Sequence, residues 1–188
     1  MTPRETILDQ IHHRETPVVP YTLPIEPEVA TRLDAHYGGP DWRRKLKTYM
    51  AGVAPVETMH REPLDEVFAR DPYGAVWRQD RRPFHLEEPP LKEPSLEGYA
   101  FPEPATFFRP EAKERARQTC EEHGDKFLIG HLGWGLFELS WNLRGFQNVL
   151  TDAIAEPDFL EAMLDKLTDL YLAFVDYTAD LPIDAVMF

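Results

Sequence analysis

The feature that most restricts how this chain can fold is the stretch Phe127-Leu-Ile-Gly-His-Leu-Gly-Trp-Gly-Leu-Phe-Glu-Leu-Ser-Trp-Asn-Leu-Arg-Gly-Phe146. Phe127 to Leu132 is a short, mostly apolar run bounded by Lys126 and Gly133, which suits a strand buried on both faces. Gly130, Gly133 and Gly135 allow a sharp turn and a close approach to the backbone. From Leu136 the apolar residues Leu136, Phe137, Leu139 and Leu143 fall at helical spacing. A strand that runs through a glycine turn into a helix is the building unit of parallel α/β sheets, in which ligands bind beyond the carboxyl ends of the strands. Any such site has His131, Trp134, Glu138 and Trp141 beside it.

The rest of the composition narrows the function classes. With 188 residues, 43% hydrophobic and 12% aromatic, residues 1–188 suffice for a single domain with a sizeable core. A net charge of −13 and a pI near 4.9 argue against a nucleic-acid partner, which usually needs a basic face. The single cysteine, Cys120, excludes an internal disulfide and fits a reducing compartment. No apolar run approaches the roughly 18 residues of a membrane span, and Met1-Thr-Pro-Arg-Glu-Thr6 is neither signal peptide nor anchor. The expectation is a cytoplasmic protein with no membrane partner.

Along the chain, Thr2-Pro3-Arg4-Glu5 reads as a helix start, with Thr2 as cap, Pro3 at the first position and Glu5 as its reciprocal partner. Thr16-Pro-Val-Val-Pro-Tyr-Thr-Leu23 reads as a buried strand, Pro27 to Tyr37 as a helix stopped by Gly38-Gly39, and Asp41 to Met50 as a further helix carrying Arg43, Arg44, Lys45 and Lys47. Asp71-Pro-Tyr-Gly74 has the residues of a tight turn, followed by a strand at Ala75–Arg78 with Arg82–Leu86 as hairpin partner. Pro110 to His123, Gln147 to Ile154 and Pro157 to Ala179 keep helical periods, and Pro182 to Phe188 reads as another buried strand.

Strands at 18–23, 127–132 and 183–188, separated by helices, imply a parallel sheet joined by crossovers. A last strand with no covering helix leaves an apolar edge. The expectation is that the 188 residues form the amino-terminal half of a longer barrel, or that a partner supplies the remainder.

Several spaced segments carry a resemblance: Arg4-Glu-Thr-Ile-Leu8 with Pro17-Val-Val-Pro20, Asp71-Pro-Tyr-Gly-Ala-Val-Trp77, Pro90-Leu91 before Leu96-Glu-Gly-Tyr99, Gly130 to Gly145 with Phe137-Glu138, and Ile183-Asp-Ala-Val-Met-Phe188. Together they resemble the uroporphyrinogen decarboxylase superfamily over nearly the whole chain. The resemblance implies a (β/α)8 TIM barrel of about twice this length.

Two branches of that superfamily differ in chemistry. The decarboxylases of porphyrin biosynthesis hold substrate carboxylates with an arginine-rich loop after the first strand, whereas Tyr21-Thr-Leu-Pro-Ile-Glu-Pro27 has no arginine and offers Glu26. Where that branch has a tyrosine, this chain has Trp141, and its aspartate has only an approximate counterpart in Asp65. The other branch transfers a methyl group between a corrinoid and a thiol or similar acceptor, and its segments resemble Asp71–Trp77 and Gly130–Glu138 more closely. On that reading Glu138 and Asp71 are the catalytic candidates, and His131, Trp134, Trp141 and Tyr73 the substrate-binding ones. The alternative for Glu138 is an ion pair with Arg144, that for Asp71 a turn residue, and that for His131 a hydrogen-bonded strand residue. The resemblance implies a small-molecule substrate, with zinc and a corrinoid, or a corrinoid protein as partner, for the full-length form; zinc ligands in that branch come from the other half of the barrel, and Cys120 matches none. A further alternative is a non-catalytic barrel that binds a corrinoid protein or partner subunit.

Overall fold

The fold is mixed α/β, with two sheets of opposite construction, in a computed structural model that describes residues 1–188. Helix α1 (Pro3–Ile11) starts as expected. The Thr2 hydroxyl accepts from the Glu5 amide at 3.1 Å, and the Glu5 carboxylate accepts from the Thr2 amide at 2.7 Å. Helix α2 (Pro27–Tyr37) stops where Gly38 takes a left-handed φ of 72°.

Two expectations fail between these helices and the first sheet. Residues 18–23 are not a strand: three prolines at 17, 20 and 24 remove ladder donors, and Val19 is 88% exposed. The segment instead lies as an irregular strap, tied by the Tyr49 amide donating to the Tyr21 carbonyl at 3.0 Å. The helix expected over Asp41–Met50 shrinks to a short 3-10 helix, Pro40–Lys45, that buries Trp42. The first parallel strand is β1 (Met50–Val53).

Next comes a four-stranded antiparallel sheet in sequential order: β2 (Glu62–Pro63), β3 (Phe68–Arg70), β4 (Val76–Arg78) and β5 (His85–Glu88). The hairpin read from the sequence is β4 with β5, shifted toward the carboxyl end. Trp77 faces Leu86, Arg78 faces His85, and a bulge lies between Val76 and Trp77.

Helix α3 (Pro110–Glu122) leads into β6 (Phe127–His131), followed by α4 (Leu136–Arg144), α5 (Phe146–Ala155), α6 (Pro157–Thr178) and β7 (Ala185–Met187). The second sheet has the order β1-β6-β7 and both pairings are parallel, with Val53 opposite Gly130 and Gly130 opposite Val186. β6 therefore occupies the centre. Close packing there depends on Gly130, because a Cβ at that position would lie 2.8 Å from Cδ1 of Ile183.

Two cores flank the parallel sheet. One joins Val53 and Leu128 to Ala116 and Cys120 of α3. The larger one gathers α4–α6 with Tyr73, Leu91 and Phe107. In α6, Met163, Leu167 and Phe174 are fully buried. Each buried side chain of that size contributes about 1.5–3 kcal/mol, far more than the few tenths of a surface ion pair. The apolar stripe, not the charged face, holds α6 in place. No helix is long and apolar enough to cross a membrane.

Candidate functional site

The parallel sheet places three segments side by side at its carboxyl end: the loop after β1, the loop 132–135 after β6, and Phe188 after β7. Gly133 makes the first two meet. Its φ is 122°, and a Cβ there would lie 3.2 Å from the Thr58 hydroxyl, so any larger residue is both strained and crowded. The loop is anchored from behind by Tyr171 of α6, whose hydroxyl donates to the Trp134 carbonyl and whose ring stacks on Phe188 at 5.1 Å. Burial and then the charge of Glu138 push the Tyr171 phenol far up, so it remains a protonated donor.

Glu138, half-buried in the first turn of α4, curls back over the loop. A Cβ on Gly135 would lie 2.6 Å from its Oε2 and 3.7 Å from the carbonyl carbon of Phe188. Gly135 thus leaves the space that the carboxylate occupies. The ion pair of Glu138 with Arg144 does not form; Arg144 is turned to Asp152, 2.7 Å away. Trp134 is 39% exposed at the same rim.

His131 ends β6 with an exposed imidazole lying across β1, where Gly52 has no side chain; a Cβ there would come within 2.8 Å of Nε2. His131 and Gly133 line a cavity of about 280 Å3 together with Glu57, Thr58 and Arg115. A second cavity, about 290 Å3, is bounded by Glu57, His60, Arg70, Asp71 and Arg109. Glu57 belongs to both, which makes it the link between the rim of the parallel sheet and the antiparallel one. Nothing in the sequence distinguishes Glu57, a lone acid in a loop.

The remaining candidates sit behind the rim. Asp71 accepts from the Tyr73 and Ala75 amides, each at 3.0 Å, and from the Trp77 indole N–H at 2.8 Å. Burial raises its carboxyl above the usual range, opposed by those three hydrogen bonds and by Arg61. Arg61 stacks over Trp77 at 4.2 Å, and Trp77 meets Trp141 edge-on at 6.4 Å. Tyr73 is 5% exposed and packs on Phe107 in the larger core. His131, Trp134 and Glu138 thus lie at or just after the carboxyl end of β6, but of the three only His131 lines either cavity; Asp71 lines the second cavity, and Tyr73 and Trp141 pack in the larger core.

The chain superposes on a methyltransferase from Methanosarcina mazei. The TM-score is 0.64 at 16% sequence identity, over 99% of this chain and 58% of that one, so the likeness is one of fold. The chain spans less than two thirds of the length of that structure. No protein-family model and no curated protein matches the sequence.

As to metals, no group of three or more His, Cys, Asp or Glu side chains is placed to hold an ion. Cys120 is buried in α3, where burial and then the charges of Asp184 and Glu121 push its thiol up, away from the thiolate that a metal ligand must be.

Proposed function

We propose that the protein takes part in methyl transfer between a corrinoid or methylated small molecule and an acceptor, as a member of the methyltransferase-like branch of the uroporphyrinogen decarboxylase superfamily. On this reading the three parallel strands are staves of a (β/α)8 barrel. The observation that carries it is the fold shared across 99% of the chain with the solved structure of a methyltransferase, read together with the glycine-rich rim at the strand ends where such folds bind ligands.

The residues divide the work by position. Glu138, held over Gly135, orients or polarises the transferred group or its acceptor. Trp134 and His131 form the mouth and limit water access. Asp71 is a positioning residue: by fixing Trp77 it sets the face against which Trp141 packs. A corrinoid supplies the carbon–metal chemistry when bound, and this chain's part is to bind, orient and desolvate around it.

The test follows the absorbance of methylcobalamin with the protein and a small thiol. Expected is protein-dependent demethylation that falls on the order of 10²-fold in Glu138→Gln. Absence of demethylation overturns the reading, and release of carbon dioxide from uroporphyrinogen instead favours the decarboxylase alternative.

A further inference from the structure

A cavity of about 880 Å3, roughly three times the volume of either one at the rim, opens at the opposite end of the parallel sheet. Tyr49, which precedes β1, and Lys126, which precedes β6, both line it, so it belongs to the amino ends of the strands. One wall is the proline-bounded strap, which brings Val18, Leu23 and Ile25 to face Leu46 and the buried Trp42. Val18 is 44% and Leu23 50% exposed. Apolar side chains left in water singly need no explanation, but several converging on one concave surface mark a ligand site.

The charge around this floor runs against the rest of the molecule. The chain carries −13 overall, yet the cavity is lined by Arg43, Arg44, Lys47 and Lys126 against one carboxylate, Asp125. Two of the four cations are already engaged. Arg43 holds Asp34 through two hydrogen bonds at 2.6 and 3.0 Å, and Arg44 lies 3.8 Å from Asp41. Lys47 makes no ion pair. Lys126 makes none either, and its ammonium donates only to the Thr48 hydroxyl at 3.1 Å. The Trp42 wall is fixed in advance: its indole N–H donates to Asp34 at 2.8 Å, and Arg43 stacks on its ring at 4.7 Å.

We propose that this cavity binds a small amphipathic monoanion, with its apolar body on the strap residues and its carboxylate or phosphate directed to Lys47 and Lys126. The site is independent of the methyl-transfer reading, since it lies at the other end of the sheet. Titration calorimetry of the protein with decanoate, decan-1-ol and acetate tests it. Decanoate is expected to bind at least about tenfold more tightly than either of the others at low salt. The Lys47→Gln/Lys126→Gln variant should lose about tenfold for decanoate with decan-1-ol unchanged. Raising salt to about 0.5 M should weaken decanoate alone in the unaltered protein, an arm that stands even if the variant fails to fold. Equal affinity for decan-1-ol, decanoate binding indifferent to both salt and the variant, or no decanoate binding overturns the proposal. Sedimentation with anionic phospholipid vesicles in the absence of decanoate binding would overturn it in favour of a membrane-facing surface.

Discussion

Nε of Arg144 lies 2.7 Å from Oδ2 of Asp152, with the two side chains 8% and 5% exposed, so the last residue of α4 and the second turn of α5 are joined by a buried ion pair. Nη1 of the same arginine donates to the Lys92 carbonyl at 2.7 Å, which pins the segment after β5 to the helix corner. Removing one charge leaves the other buried and unpaired, and this is costlier than removing both. Asp152→Ala should therefore destabilise the protein by about 3–5 kcal/mol, while Arg144→Met/Asp152→Leu should recover much of that loss. Urea unfolding of the two variants checks both; an Asp152→Ala cost below about 1 kcal/mol would show that the pair is solvated.

That ion pair also marks where the sequence stops being informative. Local signals sufficed for α1, α2 and α6, though not for the helix expected over Asp41–Met50: the Thr2–Glu5 box, the left-handed Gly38 and the stripe along α6 all lie within a few residues of what they control. They sufficed as well for β6 and for the parallel pairing with β7. Partners set by tertiary contact were not legible. Arg144 is six residues from Glu138 and eight from Asp152, and the corner at Gly145 turns it to the more distant partner. The strand Met50-Ala-Gly-Val53 is short, has one β-branched residue and follows a basic run, and it becomes a strand because β6 offers it a parallel ladder. Val18-Val19 has the stronger β propensity but lies between prolines that cannot donate to one. At the rim, the glycine spacing led to His131, Trp134 and Glu138 but gave no hint of Glu57.

Gly135 offers a way to move Glu138 without changing it. The φ of Gly135 is −64°, which any residue adopts, and the atom a methyl group would meet is the far end of a flexible side chain. Gly135→Ala should therefore shift stability by less than about 1 kcal/mol while displacing the carboxylate. If Glu138 acts on the transferred group, methylcobalamin demethylation should fall in Gly135→Ala as it does in Glu138→Gln. Full activity in a folded Gly135→Ala protein would remove Glu138 from the mechanism.

Acid sensitivity has a definite sign at Asp34. Its hydrogen bonds to Arg43 and then to the Trp42 indole hold its carboxyl below the usual range. Below the ordinary aspartate value of about 3.9, the unfolded chain binds the proton more readily than the folded one. The stability contributed by Asp34 is thus fully present above that pH and is lost as pH falls through the folded-state value. Asp180, bonded to Lys113, runs the same way. Asp34→Asn should flatten the acid limb of a plot of thermal midpoint against pH and leave its neutral portion parallel to that of the unaltered protein. An unchanged acid limb would mean the Asp34–Arg43 contact does not persist in solution.

The three hydrogen bonds accepted by Asp71 make a sharper test of its role than activity does. Oδ1 accepts from two amides of its own turn, and Oδ2 from the Trp77 indole. An asparagine can keep Oδ1 as acceptor but presents N–H groups to the indole N–H, so Asp71→Asn should cost about 1–3 kcal/mol through one lost, partly buried charge-assisted bond. In a Trp77→Phe background that donor is absent, and the same substitution should cost less by most of that amount. The double-mutant cycle isolates the Asp71–Trp77 coupling. A coupling near zero would detach Asp71 from the wall that carries Trp141. A coupling of 1 kcal/mol or more, with demethylation falling in Asp71→Asn and restored by no external carboxylate, is the outcome expected of a residue that acts through the packing of Trp77 on Trp141.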